Sequence, residues 1–173
     1  MGEVRFRMDG DVALVTGGAG ILGSTFCRAL GEQGAKVAVV DLVQEAANKV
    51  AAEIGENASG FACDVADPIS VSGCVAAVVE RFGSIDILLN NAATKTADPR
   101  RFFEPFEEYS PAVWREVMSV NIDGVFLMAQ AVGKHMLDSG REGRIVQTAS
   151  IYGLVGPDKR IYCLLYTSPS PRD

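Results

Sequence analysis

Val12-Ala13-Leu14-Val15-Thr16-Gly17-Gly18-Ala19-Gly20-Ile21-Leu22-Gly23 decides the fold. The apolar run Val12 to Val15 reads as a strand buried on both faces. A helix pattern runs from about Ile21 to Gly34, with Phe26, Ala29 and Leu30 on its apolar side. Between strand and helix, Gly18, Gly20 and Gly23 fit G-x-G-x-x-G. The chemistry behind that spacing is a tight turn, then a residue without a side chain where a diphosphate approaches, then close helix-strand packing. A helix opening at Ile21 offers unpaired N–H groups and the positive end of its dipole. The expected anion cradle is therefore Gly17, Gly18, Gly20, Ile21, Leu22 and Gly23.

Outward from this stretch, short apolar runs alternate with helical patterns. Val37 to Val40 is the second strand, and residues from about Val43 to Ile54 read as a helix. Gly60 to Cys63 is a weaker strand. Asp67 and Pro68 then start a helix as N-cap and first helical residue, with Val71, Val75, Val78, Val79 and Phe82 on one side. Ile85 to Leu89 is the fourth strand, followed by a polar loop from Thr94 to Glu108. Ser110 and Pro111 open a long helix reaching about Asp138, and Arg144 to Thr148 is the fifth strand. Alternation of this kind predicts an α/β protein with a Rossmann-like, doubly wound parallel sheet, ending after the fifth strand.

Composition agrees with that class and excludes others. The chain has 173 residues, 48% hydrophobic and 22% charged, which is globular rather than disordered. A net charge of -6 argues against nucleic acid as a partner. The charge-free run Val12 to Cys27 is broken by glycines, so no membrane association is expected, and the first ten residues show no leader. Cys27, Cys63, Cys74 and Cys163 make no CxxC pair, and His135 is the single histidine. No metal site is expected, and reduced thiols fit a cytoplasmic location. Packing is the plain reading of Cys63. Trp114 and Phe126 read as core or interface residues, His135 as a surface residue at a helix end, and Arg100-Arg101 as a solvated loop.

Asp41 ends the second strand eighteen residues after Gly23, with Leu42 beside it. A carboxylate there accepts hydrogen bonds from both adenosine ribose hydroxyls and repels a 2'-phosphate. No Arg or Lys adjoins it, so NAD is expected over NADP as the cofactor.

At this point the sequence resembles the short-chain dehydrogenase/reductase family. The resemblance is carried by Thr16 to Gly23, Asp64-Val65, Asn90-Asn91-Ala92-Ala93, Ser119-Val120-Asn121 and Thr148-Ala149-Ser150. It implies that Asp64 and Val65 contact the adenine ring, and that Asn91, Ala92 and Ala93 line the cofactor. By the same resemblance Asn90 ties the central strands together. Asn121 matches the catalytic Asn that holds a relay water, and Ser150 the catalytic Ser that binds the substrate oxygen. It implies a small-molecule alcohol or carbonyl substrate and a homo-oligomeric parent protein.

The sequence departs from the family at three places. The loop reads Gly-x-x-Gly-x-x-Gly from Gly17, a spacing shared with the sugar-nucleotide epimerase branch, and Ala93 stands where Gly is usual. The family's Tyr-x-x-x-Lys is absent: Tyr162 lies twelve residues after Ser150, but position 166 is Tyr166 rather than Lys. Tyr152 to Tyr162 resembles a subgroup with a longer Ser-to-Tyr interval. The tail Cys163 to Asp173 breaks the strand-helix rhythm and reads as a translated transposase adapter. Residues 1–162 are then expected to be an incomplete dinucleotide-binding domain without turnover of its own. A sugar-nucleotide epimerase or dehydratase with retained NAD, and a non-catalytic NAD-binding module, are the two alternative readings.

Overall fold

A computed structural model describes residues 6–96, 98–102, 104–151 and 154. They divide into two compact units, one drawn from Met1–Thr94 and Met118–Thr148, the other from Lys95–Val117 and Ala149–Asp173.

The first unit is a five-stranded sheet with helices on both faces. Its elements are β1 (Val12–Thr16), α1 (Ile21–Glu32), β2 (Lys36–Asp41), α2 (Gln44–Ile54), β3 (Ala58–Ala62), α3 (Pro68–Phe82) and β4 (Ile87–Asn90). After the second unit's helices α4 (Pro99–Phe102) and α5 (Pro111–Met118) come α6 (Val125–Asp138) and β5 (Arg144–Gln147). The strands run parallel in the order β3-β2-β1-β4-β5. The order reverses at β1, which opens a crevice at the carboxyl ends of β1 and β4 where such sheets take their ligands.

All five residues of β1 are buried, because each face is covered. Val12 and Leu14, with Ala38 and Val40 of β2, pack against Val71 and Val78 of α3 and Met128 and Val132 of α6. Ala13 and Val15, with Val37 and Val39, pack on the other face against Cys27 of α1 and Ala47 and Val50 of α2. A period of two across a strand buried on both sides produces the unbroken apolar run. Each buried Val contributes about 1.5–3 kcal/mol.

A polar clamp closes the amino ends of the strands. Asp86 accepts hydrogen bonds from Val12 N (2.9 Å), Ser84 Oγ (3.0 Å) and Arg141 Nε and Nη2 (2.9 and 2.6 Å). Burial pushes this carboxyl up, but the four donors outweigh it and hold it below the usual carboxylate range.

Several expectations are met and several are corrected. Asp67 caps α3 as its side chain accepts from Ile69 N and Ser70 N, with Pro68 at the first turn. The weak third strand begins two residues earlier than expected, and the fourth runs Ile87–Asn90. On α1 the buried residues are Gly23 and Cys27, with Phe26 and Leu30 partly covered, whereas Ala29 is exposed. The Thr94–Glu108 loop contains α4 and a 3-10 turn at Phe106–Glu108. The long helix is not uniform: a π-helical turn, Ser119–Gly124, separates α5 from α6. Trp114 and Phe126 are exposed, so neither belongs to the core. The expectations for Tyr162, Tyr166 and the tail lie outside the described residues.

Candidate dinucleotide-binding site

The loop between β1 and α1 is held by β2 and by its own glycines. Gly18 N donates to Val40 O (2.8 Å) and Gly20 N to Gly17 O (3.1 Å). Gly17 has φ +62, and a Cβ on Gly23 would stand 2.0 Å from Gly17 O, so both positions exclude a side chain. No side chain caps α1, whose N-cap is Gly20. The first-turn N–H groups of Ile21, Leu22 and Gly23 therefore have no intrahelical acceptor. Ile21 and Leu22 are themselves exposed, as expected of a mouth rather than a core.

Asp41 stands beside this loop at the end of β2. Its Oδ2 accepts the Ala19 N–H at 3.0 Å, and Leu42 next to it is exposed. At the end of β3, Asp64 N donates to Ser70 Oγ (2.9 Å), and Asp64 Oδ1 accepts Ala66 N (2.9 Å). Val65 is buried against Gly124, where an added Cβ would meet Val65 Cγ2 at 2.7 Å.

Thr16 joins the loop to the end of β4 and was not among the candidate site residues. Its wholly buried hydroxyl accepts Asn91 N (2.9 Å) and Ala92 N (3.0 Å) and donates to Asn90 Oδ1 (3.2 Å). Asn91 Nδ2 donates to Thr16 O (3.2 Å), and Asn90 Nδ2 to Val125 O (2.8 Å). Asn90 thus links β1 to β4, the tie between central strands that the resemblance implied, and also reaches α6. Ala93, the next residue, is exposed. The one visible signal for Thr16 was its place where the apolar strand meets the first glycine.

Asn121 lies within the π turn and pairs with both backbone groups of one residue. Its Oδ1 accepts Thr94 N (2.7 Å) and its Nδ2 donates to Thr94 O (3.0 Å). The amide keeps one N–H and one lone pair for a water. Ser150 is exposed and belongs to the second unit.

His135, Arg100 and Cys27 stand outside the glycine loop. His135 lies in the last turn of α6, as expected, but is half-buried, with its Nε2 enclosed and without a hydrogen-bond partner among the described residues. Arg100 is engaged within its own loop, donating Nε and Nη2 to the Asp98 carboxylate (3.0 and 2.9 Å). Cys27 is enclosed beside Gly18 O, and burial pushes its thiol up to about 12. Among the described residues no group of three or more His, Cys, Asp or Glu could hold a metal ion, and no helix is long and apolar enough to cross a membrane.

A parallel sheet whose order reverses at β1, with a glycine cradle and a strand-end carboxylate at the crevice, defines a dinucleotide-binding fold. Residues 11–163 match the short chain dehydrogenase family. The chain belongs to that family, whose members are oxidoreductases using nicotinamide cofactors. It is similar to D-threitol dehydrogenase of Mycolicibacterium smegmatis, 44% identical over 162 residues, covering 91% of this chain and 60% of that protein. It is 40% identical to sorbitol dehydrogenase of Cereibacter sphaeroides, covering 91% and 59%. Among solved structures, NAD+-bound xylitol dehydrogenase superposes with a TM-score of 0.78 at 36% identity, over 86% of this chain and 56% of that one. The chain thus spans about six tenths of the length of the curated relatives it matches.

Proposed function

We propose that this chain provides the cofactor-binding part of an NAD-dependent oxidoreductase that interconverts an alcohol and a carbonyl, with a sugar alcohol as the substrate class. The observation that carries the cofactor choice is the Asp41 carboxylate, fixed by Ala19 N at the end of β2. One oxygen is spent on the loop, and the other is left for ribose hydroxyls. Its charge opposes a 2'-phosphate. The first-turn N–H groups of Ile21, Leu22 and Gly23 hold the diphosphate, which Gly17, Gly18 and Gly20 allow to come close. Leu42, Asp64 and Val65 flank the adenosine, and Asn91, Ala92 and Ala93 line the nicotinamide side.

When bound, the nicotinamide supplies or takes the hydride. Asn121 holds the Thr94 backbone and keeps polar capacity for a water, and Ser150 binds the substrate oxygen. The hydroxyl proton needs a base. A Tyr of ordinary pKa near 10 needs a neighbouring ammonium to serve as one. With Tyr166 where the family's Lys belongs, the 173-residue chain binds cofactor without turning over substrate. The sugar-alcohol assignment is supported by the names of the threitol, sorbitol and xylitol dehydrogenases. Those names do not favour the epimerase reading.

Calorimetric titration of the chain with NAD and with NADP tests this reading. NAD should bind more tightly; tighter NADP binding overturns the assignment of Asp41. Sequencing the gene through codon 162 separates the enzyme from a non-catalytic module. A downstream Tyr-x-x-x-Lys supports the enzyme, and its absence supports the module.

A further inference from the structure

β3 ends one side of the sheet, and its outer edge is met by a side chain. Toward β2, Cys63 N donates to Asp41 O (2.8 Å) and Asn57 O accepts Val37 N (2.8 Å). Backbone groups alternate sides along a strand, so Gly60 O and Ala62 N turn away from β2. There they meet the side-chain amide of Gln44, the first residue of α2. Its Nε2 donates to Gly60 O (2.9 Å), and its Oε1 accepts Ala62 N (2.9 Å). One residue of a parallel neighbour would bond the same two groups, on either side of Phe61. The Gln44 amide thus stands in for the peptide of a neighbouring strand.

The amide is fixed in that orientation. Its Nε2 also donates to Asn48 Oδ1 (2.8 Å), one turn along the same helix. Turning the amide over would set donors against donors and acceptors against acceptors. Helix and strand are in close contact here: a Cβ on Gly60 would stand 2.5 Å from Asn48 N and 2.5 Å from Asn48 Oδ1. Gln44 itself is half-buried.

This tie joins the two segments assigned to the adenosine. Gln44 follows Asp41 and Leu42 in sequence, and Ala62 shortly precedes Asp64 and Val65. Asp41 and Ala62 are register partners across β2 and β3. Asp64 is exposed, with its Oδ1 engaged by Ala66 N (2.9 Å), which leaves the other oxygen for a donor on the base.

We propose that Gln44 is a positioning residue for the adenine ring. It holds the turn after β2 and the end of β3 at the separation that lets Asp41 take the ribose and Asp64 the base. The inference rests on the cofactor reading given above. The exocyclic amine of adenine donates to a carboxylate, whereas the carbonyl of hypoxanthine at the same place opposes it. Gln44 therefore sharpens the choice of adenine over hypoxanthine by acting through Asp64.

Gln44→Met keeps the length of the side chain and removes its three hydrogen bonds. Binding of NADH and of reduced nicotinamide hypoxanthine dinucleotide to the full chain is followed by nicotinamide fluorescence, and amide exchange at Ala62 by NMR. In the variant the Ala62 N–H should exchange faster. NADH affinity should fall about fivefold while affinity for the hypoxanthine dinucleotide changes little, so the preference for adenine narrows. A purely structural role would weaken both dinucleotides alike and leave their ratio intact. Asn48→Ala removes one of the three bonds and should narrow the preference by less. An unchanged ratio in Gln44→Met or, should that variant not fold, in Asn48→Ala overturns the proposal. A parent chain that binds neither dinucleotide overturns the cofactor reading, and the adenine role of Gln44 with it; a parent that binds NADH with no ratio change in the variant overturns the role of Gln44 alone.

Discussion

Asp41 grips the glycine loop: its Oδ2 accepts the Ala19 N–H at 3.0 Å across twenty-two residues of chain. The carboxylate is thereby held at the position where an adenosine ribose is proposed to lie. Asp41→Ala should lower NAD affinity about tenfold, near 1.4 kcal/mol, and narrow or reverse the preference over NADP. Paired calorimetric titrations read both numbers. An unchanged NAD to NADP ratio would sink the assigned role.

Thr16→Val keeps the shape of the side chain and removes its hydroxyl. Asn91 N, Ala92 N and Asn90 Oδ1 then lose a partner inside the protein. Each unsatisfied buried group costs about 1–3 kcal/mol, so a loss of about 3 kcal/mol in unfolding free energy is expected after relaxation. Thr16→Ser should recover most of it. Urea unfolding midpoints of the three proteins make the comparison.

Gly124→Ala adds one methyl where Val65 is already in contact. Overpacking of this kind costs about 1–3 kcal/mol. The substitution should lower the Tm, and it should weaken NAD binding as well, since Val65 adjoins Asp64. A loss of stability with unaltered NAD affinity would separate Val65 from the cofactor.

Asp86 makes stability depend on acid. Its folded pKa lies below the unfolded value of about 3.9, so its contribution is complete above that pH. It is lost as the pH falls through the lower, folded value. Asp86→Asn should therefore unfold more readily than the parent at neutral pH, and the difference should close in strong acid. Thermal melts across the acid range test the sign.

Local chemistry made much of this legible. A glycine cradle between an apolar strand and a helix, and an Asp-Pro helix start, depend on neighbours in sequence, and both appear where they were expected. The π turn was hidden because Val113, Val117 and Val120 keep near-helical spacing up to the point where one extra residue enters the turn. Ala29 was misplaced because composition named an apolar side that tertiary packing gave to Cys27. The hydroxyl of Thr16 joins distant segments, so no local pattern announces it. Trp114 and Phe126 read as core or interface residues, and their exposure removes the core half of that reading.

The strand order also has a consequence for how the chain comes off the ribosome. β1, β2 and β3 are adjacent in both sequence and sheet, whereas β4 must cross to the far side of β1. A nascent chain that has emerged only through Ala62 already owns the glycine bend proposed to take the diphosphate. The Thr16 hydroxyl then still waits for Asn91 and Ala92, which are translated last of the three. Pocket maturation is thus postponed until the second half arrives, and a ribosome stalled midway would display a half-built nucleotide cleft.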